Sequence, residues 1–100
     1  SAFYEQTFAK QISLAIDSSK PGTVISINFH EVMPLINENK IDFNEIINIK
    51  DNKISVRFSN YNLKGYSFDY FSDYKIEKAF EFDSNNNLVL KISISDKDDK

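Results

Sequence analysis

The sequence predicts an α+β fold in which an N-terminal amphipathic helix packs on an antiparallel meander sheet of five or six strands. Three observations indicate this class. The spacing of apolar residues changes from four to two after Pro21-Gly22, and these are the repeats of a helix face and of a strand face. The connections between the later segments are short, which requires antiparallel neighbours. The apolar side of such a sheet must be covered, and the helix is the available cover.

Residues 3–18 carry the helical pattern. Apolar side chains recur at every fourth position from Tyr4 to Ile16 and form one stripe, while polar side chains occupy the other faces. We expect the helix to end before Pro21, because proline has no N–H to donate and disfavours helical backbone at the preceding residue.

Residues 23–29 read as a half-buried strand, because apolar residues alternate with Ser26 and Asn28. The next segment, residues 30–41, is ambiguous. Its apolar residues have helical spacing, but Pro34 allows only a short helix that begins near it. We therefore predict a connection that contains one helical turn.

The strongest hairpin signal surrounds the Asp-Asn pair at residues 51–52. A two-residue loop of this composition suits a turn that needs positive φ at both positions. The turn places Ile49 opposite Ile54 and Ile47 opposite Val56, so that all four isoleucine and valine side chains share one face.

Three further strands are predicted from alternating patterns over residues 66–70, 75–82 and 88–94. A polar, Asn-rich loop over residues 83–87 separates the last two. The strand at 88–94 has the most regular alternation and is strongly apolar. If its edge were uncovered, it would invite strand addition by another chain.

The length of 100 residues fits a single domain, which we place at residues 3–95. Residues 1–2 resemble the remnant of a cleaved tag, which leaves open a natural chain that continues upstream of Phe3. Residues 96–100 form a polar, charged tail that we expect to fray.

Composition excludes several classes of function. The chain has no Cys, which rules out disulfide frameworks, thiolate zinc sites and cysteine nucleophiles. Its net charge is −3 and its pI is near 5.0, so it lacks the positive charge by which proteins bind nucleic acid. No apolar run approaches the roughly 20 residues that span a bilayer.

The sequence carries no recognisable catalytic or cofactor motif, and we predict no catalytic, cofactor-binding or metal-binding residue. His30 is the only histidine and has no second histidine at metal-ligand spacing, so we interpret it as an ordinary residue at a strand end. Gly22 and Gly65, the two glycines, flank neither a nucleophilic serine nor a phosphate loop. The carboxylates with catalytic potential have the spacing of solvent-facing strand and turn positions; they are Asp69, Asp73, Glu77 and Glu81.

An aromatic run between residues 61 and 74 is the most distinctive feature of the composition. Stacking on nucleic acid would require basic residues among the rings, but only Lys64 and Lys75 flank them. We expect about half of the rings to be core and the rest to form an exposed edge that favours protein contact. The candidate protein-contact residues are Tyr61, Tyr66, Asp69, Tyr70, Asp73 and Tyr74.

Several segments together resemble small archaeal membrane-anchored proteins, including pilin-like proteins with class III signal peptides. The residues that carry the resemblance are Phe8–Asp17, closing on Pro21-Gly22, then the hairpin Ile47–Val56, Gly65–Phe68 and the apolar strand Leu88–Ile94. The resemblance implies a domain held outside the membrane by an upstream helix, with a structural or assembly role. It implies no catalytic residues.

Three hypotheses follow from these observations. The first is a non-catalytic extracytoplasmic domain at the cell surface, anchored by a segment absent from this sequence, that engages protein partners or copies of itself. The second is a small cytosolic immunity or inhibitor protein that neutralises a toxin such as a basic nuclease, which the acidic pI suits. The third is an enzyme or ligand carrier, which would require a pocket where Tyr66, Asp69 and His30 converge.

Overall fold

A computed structural model describes residues 2–98 and confirms the α+β class. Ser1, in the predicted tag remnant, and residues 99–100, in the predicted tail, lie outside the described residues, whereas Ala2 is the first residue of the N-terminal helix. The helices are α1 (Ala2–Asp17), α2 (Met33–Asn39) and α3 (Phe43–Ile46), with a 3₁₀ turn at His30–Val32. The strands are β1 (Val24–Asn28), β2 (Ile47–Lys50), β3 (Lys53–Val56), β4 (Tyr66–Asp69), β5 (Lys75–Phe82) and β6 (Leu88–Ser95).

The six strands form two antiparallel sheets of three strands each rather than one continuous meander. Sheet A has the order β1-β6-β5, and sheet B has the order β2-β3-β4. The last strand, β6, therefore lies in the centre of sheet A and pairs on both sides, so neither of its edges is uncovered and the question that the sequence left open is answered. The reason is burial. The alternating residues Leu88, Leu90, Ile92 and Ile94 are almost fully buried on one face. Apolar residues of both neighbouring strands lie opposite them, Ile25 and Ile27 of β1 and Ile76 and Phe80 of β5.

The predicted hairpin is confirmed in its register and in its turn. Ile49 lies opposite Ile54 and Ile47 opposite Val56. The two turn residues at 51–52 have φ of 53° and 58°, the left-handed conformation that Asp and Asn tolerate and that matches the twist of the strands.

A single hydrophobic core joins α1 to both sheets. The predicted stripe of α1 is buried from Phe8 to Ile16, and α1 lies across β3 and β4 of sheet B. Phe8 also contacts Phe29, which follows β1, and Phe58, which follows β3; the ring centroids are 4.7 Å and 5.5 Å apart. Offset and edge-on ring pairs of this kind add to the stability from burial.

The connection between β1 and β2 contains more helix than predicted. Pro34 lies in the first turn of α2, where its missing N–H would have had no helical partner. Lys40, at φ 54°, ends α2 in the left-handed conformation, and the Asp42 carboxylate caps α3 by accepting from the Asn44 N–H at 2.9 Å. Within residues 2–98, no helix combines the length and apolar character needed to cross a bilayer.

Candidate functional site: a pinned aromatic loop

The structure separates the six predicted contact residues into different parts of the surface. Tyr61 and Tyr66 line one depression, and Asp73 and Tyr74 lie in the loop between β4 and β5. Asp69 lies on the exposed side of β4, where it pairs with Lys53 of β3. Tyr70, the sixth residue, belongs elsewhere.

Tyr70 is a core residue, which corrects its place among the predicted contact residues. Its side chain is only 8% exposed. It continues the alternation of Tyr66 and Phe68, which lie opposite the buried Val56 and Ile54 of β3, and it packs beneath α1. Burial, and then the negative charge of Asp17, raise the pKa of the Tyr70 phenol above its ordinary value.

The loop that follows β4, residues 70–74, is fastened to the C-terminal end of α1. Oδ1 of Asp17 accepts hydrogen bonds from the backbone N–H groups of Phe71 at 2.7 Å and Ser72 at 3.0 Å. An ionised carboxylate that accepts two N–H groups forms stronger bonds than a neutral acceptor. This contact joins residues more than fifty positions apart in the chain.

The same loop is fastened on its other side by the β2–β3 turn. The backbone carbonyl of Asn52 accepts from the Tyr70 N–H at 2.9 Å. The Asn52 side-chain amide lies 3.4 Å from the Tyr70 carbonyl oxygen and 3.3 Å from that of Ser72. The Ser72 hydroxyl in turn accepts from the Tyr74 N–H at 3.2 Å. The loop is therefore hydrogen-bonded to the rest of the domain on both sides, and its backbone becomes ordered when the domain folds.

This pinned loop displays aromatic side chains to solvent. Phe71 is 81% exposed and Tyr74 is 38% exposed, and both line a shallow groove of about 310 Å³ against Asp17. Leu14, which is 57% exposed, lies three residues before Asp17 and therefore on the same side of α1. We call Leu14, Phe71, Asp73 and Tyr74 the loop surface.

Phe71 is the residue that the list of predicted contact residues missed. It belongs to the aromatic run, and the alternation that buries Tyr70 turns Phe71 to the opposite side. This alternation was the feature of the sequence that could have identified Phe71 as exposed. The hydrogen bonds of Asp17, which hold Phe71 in place, carry no signature in the sequence.

The depression that Tyr61 and Tyr66 line has a volume of about 440 Å³ and an acidic character. Glu5 and Glu38 line it, and no Lys or Arg does. The side chain of Glu5 is almost fully buried, and its Oε2 accepts from the Phe58 N–H at 2.6 Å. Its position in the first turn of α1 is one where the helix dipole favours a negative charge.

The residues proposed for a catalytic pocket do not meet. Tyr66 lines the acidic depression, whereas Asp69 pairs with Lys53, and His30 begins the 3₁₀ turn after β1. Within residues 2–98, no group of three or more potential metal ligands comes together. A depression of about 540 Å³ on the outer face of sheet B holds side chains that bond to one another, such as Ser55 with Ser67 at 2.6 Å.

Neither protein-family models, nor curated proteins, nor solved structures match this chain significantly. The similarity to pilin-like proteins therefore stays a prediction, and the geometry of the loop surface and of the acidic depression is the basis for assigning a function.

Proposed function

We propose that this chain is a non-catalytic domain that binds another protein through the loop surface. One observation carries the proposal: Phe71 is largely exposed, yet its backbone is fastened by Asp17 of α1. The fold holds an aromatic side chain in solvent at a fixed position, where it adds nothing to the core.

Such an arrangement suits binding for two physical reasons. Aromatic side chains are enriched among the few residues that dominate the affinity of protein interfaces, because they bury a large area. A loop that is already ordered also loses little conformational entropy on association. Phe71 and Tyr74 give the loop surface apolar area, and the exposed carboxylate of Asp73 lies between them in the chain.

We further propose that the domain acts outside the cytoplasm, in a membrane-anchored protein of the pilin-like type with a structural or assembly role. The order of elements, helix first and antiparallel strands after it, supports this setting. Fractionation of the natural host decides it. An extracytoplasmic, membrane-bound protein is expected, and a soluble cytosolic protein would contradict the setting while leaving the binding role standing.

Site-specific photocrosslinking in the natural host tests the binding role. A photoreactive phenylalanine replaces Phe71 in one strain and Phe82 in another; Phe82 is 52% exposed at the end of β5. We expect a discrete adduct with one protein from position 71 and none from position 82. With that partner purified, Phe71→Ala should weaken binding by about 30-fold, the loss expected at a dominant contact residue. Equal adducts from both positions, or none from position 71, would contradict the proposal.

A second candidate is a cytosolic immunity or inhibitor protein, and the acidic depression favours it. The exposed Glu38 carboxylate beside the Tyr61 and Tyr66 rings suits the side chain of an Arg or Lys from a basic toxin, through charge and cation–π attraction. The product of a neighbouring toxin gene would then bind with strong salt dependence, and Glu38→Lys would weaken it while Phe71→Ala would not. The reverse pattern favours the first proposal.

A further inference from the structure

The hydrogen bonds at the two ends of β1 show which backbone groups face its neighbour β6. The Thr23 carbonyl accepts from the Ile94 N–H at 2.9 Å, and the Phe29 N–H donates to the Leu88 carbonyl at 2.8 Å. In an antiparallel pair, backbone groups point alternately toward and away from the neighbouring strand. Because the register is uninterrupted between these ends, the odd-numbered residues of β1 face β6.

The even-numbered residues, Val24, Ser26 and Asn28, therefore direct their N–H and C=O groups to the outer edge of sheet A. No other element among residues 2–98 pairs with β1 there, and no backbone hydrogen bond to these groups comes from a neighbouring loop. The outer edge of β1 is a row of backbone donors and acceptors open to solvent.

The other edge of sheet A, along β5, is equally open but is guarded by charge. Four of the eight β5 residues are charged: Lys75, Glu77, Lys78 and Glu81. Lys78 lies opposite Ile92 and so projects from the core-side face, a placement that discourages a second strand from docking. By contrast, β1 has no charged residue, no proline and no bulge.

We propose that β1 pairs with β1 of a second copy of this chain, antiparallel and about a two-fold axis at Ser26. Ser26 then lies opposite the partner's Ser26, and Val24 lies opposite the partner's Asn28. All three open residues of each copy meet counterparts, and each pair exchanges two hydrogen bonds. The two copies of sheet A become one continuous sheet of six strands, a symmetric interface of the commonest kind.

Charge at the ends of β1 favours a second copy as the occupant. Lys20 lies four residues before Val24, the first residue of β1, and Glu31 lies three residues after its last residue, Asn28; both are exposed. Glu31 also accepts a hydrogen bond from the Tyr4 hydroxyl at 3.0 Å. Antiparallel pairing brings Lys20 of each copy toward the partner's Glu31, so opposite charges meet at both ends and no like charges meet between them. The core-side Ile25 also comes to lie opposite the partner's Ile27, which extends the apolar face across the interface.

This interface and the loop surface have no residue in common, so the two proposals can fail independently. The test is sedimentation velocity over a concentration series, in which the wild-type protein is expected to shift toward twice its 11.6 kDa mass. Ser26→Pro removes an N–H that faces the outer edge and leaves every N–H that bonds to β6 in place. It should therefore abolish the shift toward the dimer mass. Ser26→Ala, which keeps the N–H, should not.

Lys78→Pro is the matched control at the other edge. The backbone groups of Ile92 in β6 face β1, so those of the residue opposite it in β5, Lys78, face away from β6. The loss of the Lys78 N–H should therefore leave the dimer intact. A wild-type protein that stays monomeric to about 1 mM would overturn the proposal, as would a dimer that Lys78→Pro disrupts and Ser26→Pro does not.

A charge exchange tests the register even if the proline variants fail to fold. Val24→Lys with Asn28→Lys places like charges opposite each other in both symmetric pairs and should weaken association about tenfold. Val24→Lys with Asn28→Glu places opposite charges there and should restore or exceed wild-type association. Equal association of the two double variants would overturn the register about Ser26. Both positions are exposed. Both double variants replace the Asn28 side chain, whose Oδ1 accepts from the His30 N–H at 2.7 Å, so the comparison between them isolates the charge at residue 28.

Discussion

The two sheets of this domain are built by different physical means. In sheet B, β2 and β3 are joined by a two-residue turn, and the conformation of that turn sets the register. In sheet A, β1 pairs with β6, the last strand of the chain. Its register is set by burial, because a shift of one residue would move Ile25 and Ile27 out of the core. Sheet B therefore depends on local chemistry and sheet A on the core as a whole.

The largest effect is expected at the centre of sheet A. Ile92 is fully buried in β6, and Ile92→Asp places a carboxylate there with no partner. The cost is about 4 kcal/mol or more, a large share of the stability of a domain of this size. Thermal melts should show loss of the folded state, whereas His30→Ala, at an exposed position, should change the melting temperature little. Equal losses would mean that β6 is not the centre of the core.

A smaller effect is expected where α1 holds the pinned loop beside sheet B. Asp17→Ala removes the acceptor of two backbone N–H groups and should cost about 1–2 kcal/mol, discounted for exposure. Urea unfolding measures the loss, and hydrogen exchange at Phe71 and Ser72 should accelerate. Asp73→Ala is the control, an exposed carboxylate in the same loop. Similar losses in both variants would exclude a specific role for Asp17.

Two substitutions in the β2–β3 turn distinguish the cost of backbone strain from the cost of lost side-chain hydrogen bonds. Asn52→Ala loses the amide contacts to the loop and also the greater tolerance of asparagine for φ 58°, at a cost of about 1–2 kcal/mol. Asn52→Gly loses the same contacts but accepts the positive φ, so its loss should be smaller. Urea midpoints compare the two, and a glycine variant that is no more stable than the alanine variant would contradict this division.

The two sheets should also differ in the pH range where they contribute to stability. Next to sheet B, the folded state raises the pKa of Tyr70 above 10.0, chiefly by burial. A raised pKa means that the stability is complete below pH 10 and falls as pH rises through the folded value. Melting temperatures of the wild type should therefore fall above pH 10, and Tyr70→Phe should fall less steeply. If the melting temperatures of the two proteins fall equally with pH, the ionisation of Tyr70 does not contribute to the pH dependence of stability.

In sheet A, we expect the pH-dependent contribution to stability to be lost at acid pH. Hydrogen bonds, first from the Asn87 N–H and also from the Asn85 N–H, lower the pKa of Asp83 below 3.8 in the β5–β6 turn. A lowered pKa gives stability that is present above pH 3.8 and is lost as pH falls through the folded value. The wild type should lose stability below pH 4 slightly faster than Asp83→Asn, as measured by urea midpoints. An identical acid dependence would contradict this role.

The sequence predicted the loop surface only in part. The aromatic run pointed to the right segment, and Asp73 and Tyr74 lie on the loop surface. The predicted strand over residues 66–70 already placed Tyr70 on one face with Tyr66 and Phe68, but the predicted contact residues included the buried Tyr70 and left out the exposed Phe71. Two-sided fastening by Asp17 and Asn52 could not be predicted, because it depends on where α1 and the turn come to lie.

The sequence by itself determined the features that arise within a few residues. The stripe of α1, the end of that helix near Pro21, the hairpin register and the positive φ at residues 51–52 all follow from local periodicity and turn chemistry. Tertiary structure alone decided that β6 lies between β1 and β5, and that Asp17 and Asn52 hold the loop that carries Phe71. These features join residues far apart in the chain, and only the packing of the complete core makes those contacts favourable.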